Sequence, residues 1–245
     1  METISIPRIL GCLDDFFEKN DYDGAEKYLF DWVLEAKRVH NHRIELLLYN
    51  ELIGLYRKTS REAETLHAIR NSLQLVRDMH IENNIGAGTT YLNCANAYCT
   101  FGRPEAALPL FKRALDVYER ELPKTDHSRG GLYNNVAATL VALRRFDEAY
   151  QYYNQAIEIM SQQALWLEVA ITYLDIASAK EAELGLAAAK PDIEQLLDQA
   201  AELLNKHEDT YPRVYYEFIC EMCAPIYEYY GRFMYKNTLL SRVGE

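Results

Sequence analysis

The sequence nearly repeats itself over residues 88–157 when it is shifted by 42 positions. Similar residues such as Phe111 and Tyr153 coincide at that offset, and several residues are identical. The identical pairs are Gly88/Gly130, Tyr91/Tyr133, Asn93/Asn135, Ala95/Ala137, Arg103/Arg145, Ala107/Ala149 and Ala114/Ala156. Self-similarity at a fixed period indicates stacked copies of one supersecondary unit, each of which needs its neighbours to bury its apolar face.

Each copy has the apolar spacing of two helices, with Gly102 and Arg103 marking the turn between them in the first copy. Pro104 suits the first position of the second helix, because its missing N–H is not needed there. Small residues such as Ala95 and Ala107 stand where two helix axes must approach to roughly 8–10 Å. The pattern therefore predicts an all-α helical solenoid.

A family resemblance is carried by the same stretch. The residues that carry it are Tyr91, Ala95, Tyr98, Gly102, Ala107, Phe111 and Ala114. Their order resembles the tetratricopeptide repeat (TPR), in the longer form seen in kinesin light chains, with the extra length at residues 122–130. The resemblance implies about twelve helices in antiparallel pairs, wound into a right-handed superhelix.

We expect a single solenoid over residues 1–245, made of about five helix pairs and a degenerate C-terminal capping pair. The segment from Gly185 to Pro191 is interpreted as an enlarged turn or a short extra helical piece, with Pro191 beginning the next helix. Residues 83–88 are predicted to form a turn between repeats.

The charge and cysteine content narrow the class of protein. Asp and Glu outnumber Lys and Arg by 37 to 26, and the formal net charge is -11. This excess of acid disfavours nucleic acid and anionic membranes as partners, and favours neutral or basic protein segments. No apolar run reaches the roughly 18–20 residues that span a bilayer, and the first residues lack the features of a signal peptide. With five cysteines in no disulfide-scaffold spacing, we predict a cytoplasmic protein.

A polar residue stands two positions after each aligned tyrosine. The tyrosines are Tyr49, Tyr91, Tyr133 and Tyr173, and the polar residues are Glu51, Asn93, Asn135 and Asp175. The resemblance implies that the tyrosines pack one repeat on the next, and that the polar residues point into a concave groove lined by the first helix of each pair. The alternative is that these helix surfaces are polar only because they face water.

Asparagine suits a groove that holds an extended peptide, because its amide offers one acceptor and two donors to a peptide unit. Asn93, Asn96 and Asn135 match positions where kinesin-light-chain-like and chaperone-binding TPRs hold a peptide backbone. The predicted groove residues are Asn50, Glu51, Asn93, Asn96, Asn134, Asn135 and Asp175. The Lys and Arg residues of a carboxylate clamp are absent from these positions, so we expect no binding to a chaperone tail.

No residue pattern indicates catalysis, a metal or a cofactor. Cys220 and Cys223 form a CxxC inside a predicted helix, where core packing explains them better than redox or zinc chemistry. His40 and His42 have no third ligand nearby in the sequence. We therefore predict a non-catalytic scaffold that binds a protein or an extended peptide in its groove, either as a monomer or as a homodimer. The alternative is a bacterial regulator that senses a short peptide in the same groove and acts through a separate protein.

Overall fold

The computed structural model describes residues 5–244, and its regular elements over that range are all helices. Its twelve helices, with no strand among the described residues, confirm the predicted all-α class. They are α1 (Ile6–Glu18), α2 (Tyr22–Arg38), α3 (His42–Lys58), α4 (Glu62–Asp78), α5 (Ile85–Thr100), α6 (Pro104–Glu121), α7 (His127–Ala142), α8 (Phe146–Gln162), α9 (Trp166–Leu184), α10 (Leu186–Lys206), α11 (Arg213–Tyr229) and α12 (Phe233–Leu240).

The chain divides into two compact units, Met1–Glu121 and Leu122–Glu245. In the first unit α1 packs on α2, α3 on α4 and α5 on α6, and α3 also contacts α5. In the second unit the pairs are α7 with α8, α9 with α10 and α11 with α12, and both α7 and α11 contact α9. Helix pairs whose first helices touch are thus present within each unit. A single solenoid over residues 1–245 stays a prediction.

Most helices end in one residue with a left-handed backbone, which turns the chain into the next helix. Glycine provides it at Gly102, Gly185 and Gly231, with φ of 67°, 80° and 76°. Elsewhere a residue with a side chain adopts this conformation, at Asn20, His40, Ser60, His80, Arg144 and Ala164. At all of these turns except that at Gly185, the following N–H bonds back into the helix, as from Arg61 to the carbonyl of Tyr56 at 2.8 Å, which satisfies a terminal carbonyl.

The structure corrects two expected boundaries. Helix α10 begins at Leu186, so of the two alternatives predicted before Pro191 the helical piece is correct and the turn is only Gly185. Pro191 does not begin the helix but lies inside it, on its exposed side. The alanine-rich run at 187–189 has high helix propensity, which favours helix over loop. Helix α5 begins at Ile85 rather than near Gly88, because the side chain of Asn84 caps it by accepting from the N–H of Ala87 at 2.9 Å.

The small residues of the repeat lie where the two helices of a pair are closest. Ala107 and Ala149 are completely buried, as predicted. A Cβ added at Gly88 would stand 2.8 Å from a ring carbon of Tyr118, and one added at Gly130 would stand 2.9 Å from Cγ of Met160. Both contacts are too short for a side chain, which explains why glycine occurs at the same position in both central repeats.

Candidate functional site

Three of the predicted groove residues come together where α3 lies beside α5. Asn50, Glu51 and Asn93 are all half-buried there. They line a depression of about 380 Å³, together with Leu46 and Leu47 among others. The same three residues line a second depression of about 260 Å³ that extends towards Gly54 and Arg57. Asn50, Glu51 and Asn93 therefore stand in two depressions that share a wall, which we call the α3–α5 depression.

The amide of Asn50 joins the two helices. Its Nδ2 donates to the carbonyl of Leu46 on its own helix at 3.1 Å and to Oγ1 of Thr90 on α5 at 3.0 Å. Its Oδ1 accepts from Nδ2 of Asn93 at 3.3 Å. Asn50 is thus occupied in holding the repeats together, whereas the carbonyl of the Asn93 amide takes part in none of these bonds.

Glu51 is the acidic residue of the depression, which Arg43 and Arg57 also line. Its carboxylate has no hydrogen-bond or ion-pair partner among residues 5–244. Burial raises the pKa of Glu51, and the negative charge of Asp14 on α1 raises it further. Both causes disfavour the ionised form of Glu51. The positive charge of a cation in the depression would stabilise that form and offset both.

The second unit repeats the arrangement of amide and hydroxyl. Nδ2 of Asn134 on α7 donates to Oγ1 of Thr172 on α9 at 2.7 Å. Oδ1 of the same asparagine is buried and has no hydrogen-bond partner among the described residues. Asn50 with Thr90, and Asn134 with Thr172, are therefore equivalent clips between neighbouring first helices.

Asn50 and Asn134 were predicted as groove residues, and these clips were not predicted. A local signal was present, because each clip joins the residue after one aligned tyrosine to the residue before the next. Thr90 and Thr172 occupy that second place. The pairing requires the repeat register, since the two partners are about forty positions apart in the chain.

Asp175, the other acidic residue two positions after an aligned tyrosine, is half-buried on α9. Burial raises the pKa of its carboxyl to about 6. The negative charge of Asp175 raises the pKa of Tyr153 on α8 and of Cys223 on α11, and neither neighbour is a cation. No residue that the structure describes donates a hydrogen bond to this carboxyl or forms an ion pair with it.

The other two predicted groove residues are less constrained. Asn96 is half-buried on α5, one turn after Asn93, and does not line the α3–α5 depression. Its backbone carbonyl accepts from Oγ1 of Thr100 at 3.1 Å. Asn135 is half-buried on α7, and its backbone carbonyl accepts from Oγ1 of Thr139 at 2.8 Å.

The cysteines and histidines that could have redox or metal chemistry lie in the core or in turns. Cys220 and Cys223 are buried in the middle of α11, and burial raises the pKa of both thiols, which keeps them protonated. His40 is the left-handed residue between α2 and α3. Over residues 5–244 no three His, Cys, Asp or Glu side chains are grouped closely enough to bind a metal. Nor does any helix in that range combine the length and apolarity required to cross a bilayer.

Comparison with known families identifies the repeats. Residues 44–120, which cover almost all of α3 to α6, match the model of the tetratricopeptide repeat family. Those residues are therefore similar to tetratricopeptide repeats. Tyr49 and Tyr91, at the aligned tyrosine position of two successive repeats, are both buried, which suits residues that pack the helices together.

Solved structures extend the TPR-like fold over most of the chain. BtubC (BKLC) from P. vanneervenii is 18% identical, with 88% of this chain and 86% of that chain covered at a TM-score of 0.62. A putative kinesin light chain from Podosopora anserina with nearly identical TPR-like repeats is 16% identical, with 85% and 99% covered at a TM-score of 0.70. MamA protein is 14% identical, with 84% and 94% covered at a TM-score of 0.55.

At these identities the similarity concerns the fold alone. The predicted resemblance to TPRs of the kinesin-light-chain type, and the TPR-like fold class, are both confirmed. No curated protein matches the sequence.

Proposed function

We propose that the chain is a non-catalytic scaffold that binds an extended protein segment across the first helices of its TPRs. The observation that carries the proposal is the α3–α5 depression, where Glu51 presents an unpaired, half-buried carboxylate beside the amide of Asn93. A TPR fold suggests a surface for binding proteins, and the depression provides that surface with both charge and hydrogen-bonding groups.

The chemistry favours a segment that is neutral to basic. A Lys or Arg side chain placed near Glu51 would neutralise a carboxylate whose ionised form is disfavoured by burial and by Asp14. The free carbonyl of the Asn93 amide would accept from a peptide N–H of the same segment. One charge and one amide contact fix both the position and the direction of an extended chain.

In the second unit, Asn135 and Asp175 occupy the same two roles in the repeat. Asp175 is the acidic residue and Asn135 the amide, while Asn134 is held in its clip to Thr172. We propose that these residues form a binding surface of the same kind. Asn96 of α5 extends the first surface along its helix, one turn beyond Asn93.

A selection experiment tests the proposal. Random peptides of about ten residues displayed on phage are selected on the immobilised protein, and the enriched sequences are synthesised. We expect enrichment of Lys and Arg, and loss of binding to Glu51→Gln and to Asn93→Ala. Removing one partner from a buried hydrogen bond costs about 1–3 kcal/mol, which weakens binding roughly 5- to 150-fold.

Asn71→Ala provides a matched control, because Asn71 lies on α4, the second helix of the pair, and its amide bonds only to the carbonyl of His67. It should leave the affinity unchanged. Peptides that bind Glu51→Gln and Asn93→Ala as well as the wild type would refute the assigned surface. A double Asn93→Ala, Asn135→Ala variant tests both units at once and should abolish capture.

The alternative function, a bacterial regulator that senses a short free peptide, uses the same residues and differs in the ligand. A sensor should bind the short peptide as tightly as the same sequence inside a longer chain. A scaffold should gain affinity from the flanking residues, because an extended segment contacts several repeats in succession. The exclusion of nucleic acid and membrane, the cytoplasmic setting and the homodimer stay predictions from the sequence.

A further inference from the structure

The exposed apolar side chains of the second unit include a row along α11. Val214, Phe218, Met222 and Tyr229 are 80%, 51%, 45% and 68% exposed, and Pro225 between them is exposed as well. Their spacing places all five on one face of the helix, over a length of about 22 Å. We call this row the α11 stripe.

The opposite face of α11 is also apolar. Tyr216, Ile219, Cys220, Cys223 and Tyr227 are buried against the core of the unit. A helix that is apolar on both faces is normally buried on both, and a contiguous exposed apolar row marks an interaction site. The α11 stripe therefore lacks the cover that its composition calls for.

Acidic residues flank the stripe on both sides. Glu217, Glu221 and Glu228 of α11 follow one edge. On the other edge α9 contributes Glu181, which accepts from the hydroxyls of Tyr229 and Tyr230 at 2.7 and 2.9 Å. Glu168 accepts from the hydroxyl of Tyr215 at 2.8 Å, and its second oxygen is buried. A partner seated on the stripe would thus find three carboxylates along one edge and that of Glu181 along the other.

The centre of the stripe offers a carboxylate without an ion pair and a backbone carbonyl that lacks its usual helical donor. Glu221 is exposed and has no ion pair among the described residues, whereas Glu217 is paired with Arg213 and Glu228 with Lys236. Pro225 has no N–H, so the backbone carbonyl of Glu221 cannot receive the usual helical bond from it. A carboxylate and a backbone carbonyl side by side suit the cationic end of a Lys or Arg side chain.

A second copy of this chain does not fit these charges. Two antiparallel α11 helices related by a two-fold axis would bring the same edges together, with Glu221 of each beside that of the other. A parallel pair would set the glutamates of one α11 beside Glu181 of the other copy. Both arrangements place like charges together, which costs affinity.

We propose that the α11 stripe binds an amphipathic helix of another protein, with large apolar side chains on one face and Lys or Arg along both edges. Apolar anchors at i, i+4, i+7 and i+11 of the partner would pack on the stripe, as in helix-in-groove recognition. The basic edges would lie beside Glu221 on one side and Glu181 on the other.

A designed helix of about 18 residues, with Leu at those positions and Lys on both sides, tests this inference by isothermal titration calorimetry. One matched peptide carries Glu in place of Lys, and another carries Ser in place of Leu. We expect the Leu/Lys peptide alone to bind the wild type, more weakly as salt rises from about 50 to about 300 mM. The double variant Phe218→Gln, Met222→Gln should weaken it at least about tenfold.

Glu221→Lys provides an independent arm, because it should weaken the Lys peptide about two- to fivefold and improve binding of the Glu peptide. Leu34→Gln is the control, since Leu34 is 64% exposed on α2 in the first unit. Equal binding of the Leu/Lys peptide to wild type and double variant would overturn the assignment, as would no binding to the wild type. A wild-type dimer that the double variant dissociates in sedimentation would show that a second copy covers the stripe.

Discussion

Asp175 gives the structure a dependence on pH that can be measured without any ligand. Its pKa is raised from 3.8 to about 6 by burial, so the carboxyl holds its proton more tightly in the folded protein than in the unfolded chain. Unfolding then releases a proton between those values, and the free energy of unfolding falls as pH rises through that window. The stability is fully present below about pH 4 and is lost above about pH 6.

The size of the effect follows from the shift. A change in pKa from 3.8 to about 6 corresponds to roughly 3 kcal/mol between the two protonation states. Asp175→Asn keeps the shape of the side chain and removes its charge. We expect the variant to exceed the wild type in stability by roughly 2–3 kcal/mol at about pH 7.5, and by less than about 1 kcal/mol at about pH 4.

Urea denaturation followed by circular dichroism, at several pH values between those two, measures the difference. Asp192→Asn is the matched control, because Asp192 lies exposed on α10 of the same unit. It should show no gain that depends on pH. A stability difference between Asp175→Asn and wild type that stays constant with pH would refute the reasoning, because a buried ionisable group must produce a slope.

Three further outcomes test the packing. Gly88→Ala should lower the free energy of unfolding by about 1–3 kcal/mol, because a rigid tyrosine ring fills the space. Gly130→Ala should lower it by less, because a flexible methionine can move away. Equal losses of stability in the two variants would contradict this. Asn50→Ala should cost about 1–2 kcal/mol through its clip between helices, while Asn96→Ala stays within about 0.5 kcal/mol, both read from urea melts. Ala164→Gly, at φ of 56°, should stabilise by about 1 kcal/mol in thermal unfolding, whereas a loss would show that the turn is not strained.

Most of the fold was predictable from the 42-residue period of the sequence. The period predicted that Pro104 begins α6 and that Ala107 and Ala149 are buried, because small residues that recur at a fixed period are expected where helices pack closely. Helix starts that depend on a cap were less predictable. The start of α10 moved to Leu186, since helix propensity in the alanine run outweighed the proline that follows it.

The positions of Glu51 and Asn93 were predictable from the repeat, but the hydrogen bonds around them were not. That these residues bind a partner stays a prediction. Glu51 and Asn93 were identified because each follows an aligned tyrosine by two positions, and the structure brings both into one depression. The sequence did not show that Asn50 would bond to Thr90, because a contact between residues forty positions apart depends on how two helices are set side by side. The α11 stripe was hidden for a related reason. A helix that is apolar on both faces does not reveal from its sequence which face is covered.

Glu51 and Asp175 occupy the same position of the repeat in different units, and burial raises the pKa of both carboxyl groups. Such groups weaken the free protein near neutral pH, because folding must hold a charge where water is partly excluded. A cationic side chain in the proposed groove would supply the missing partner and favour the ionised form. Binding of a basic segment would then release the protons that these carboxyl groups retain in the free protein. The affinity for such a segment should accordingly rise as pH increases through the pKa of Asp175, while the stability of the free protein falls over the same range.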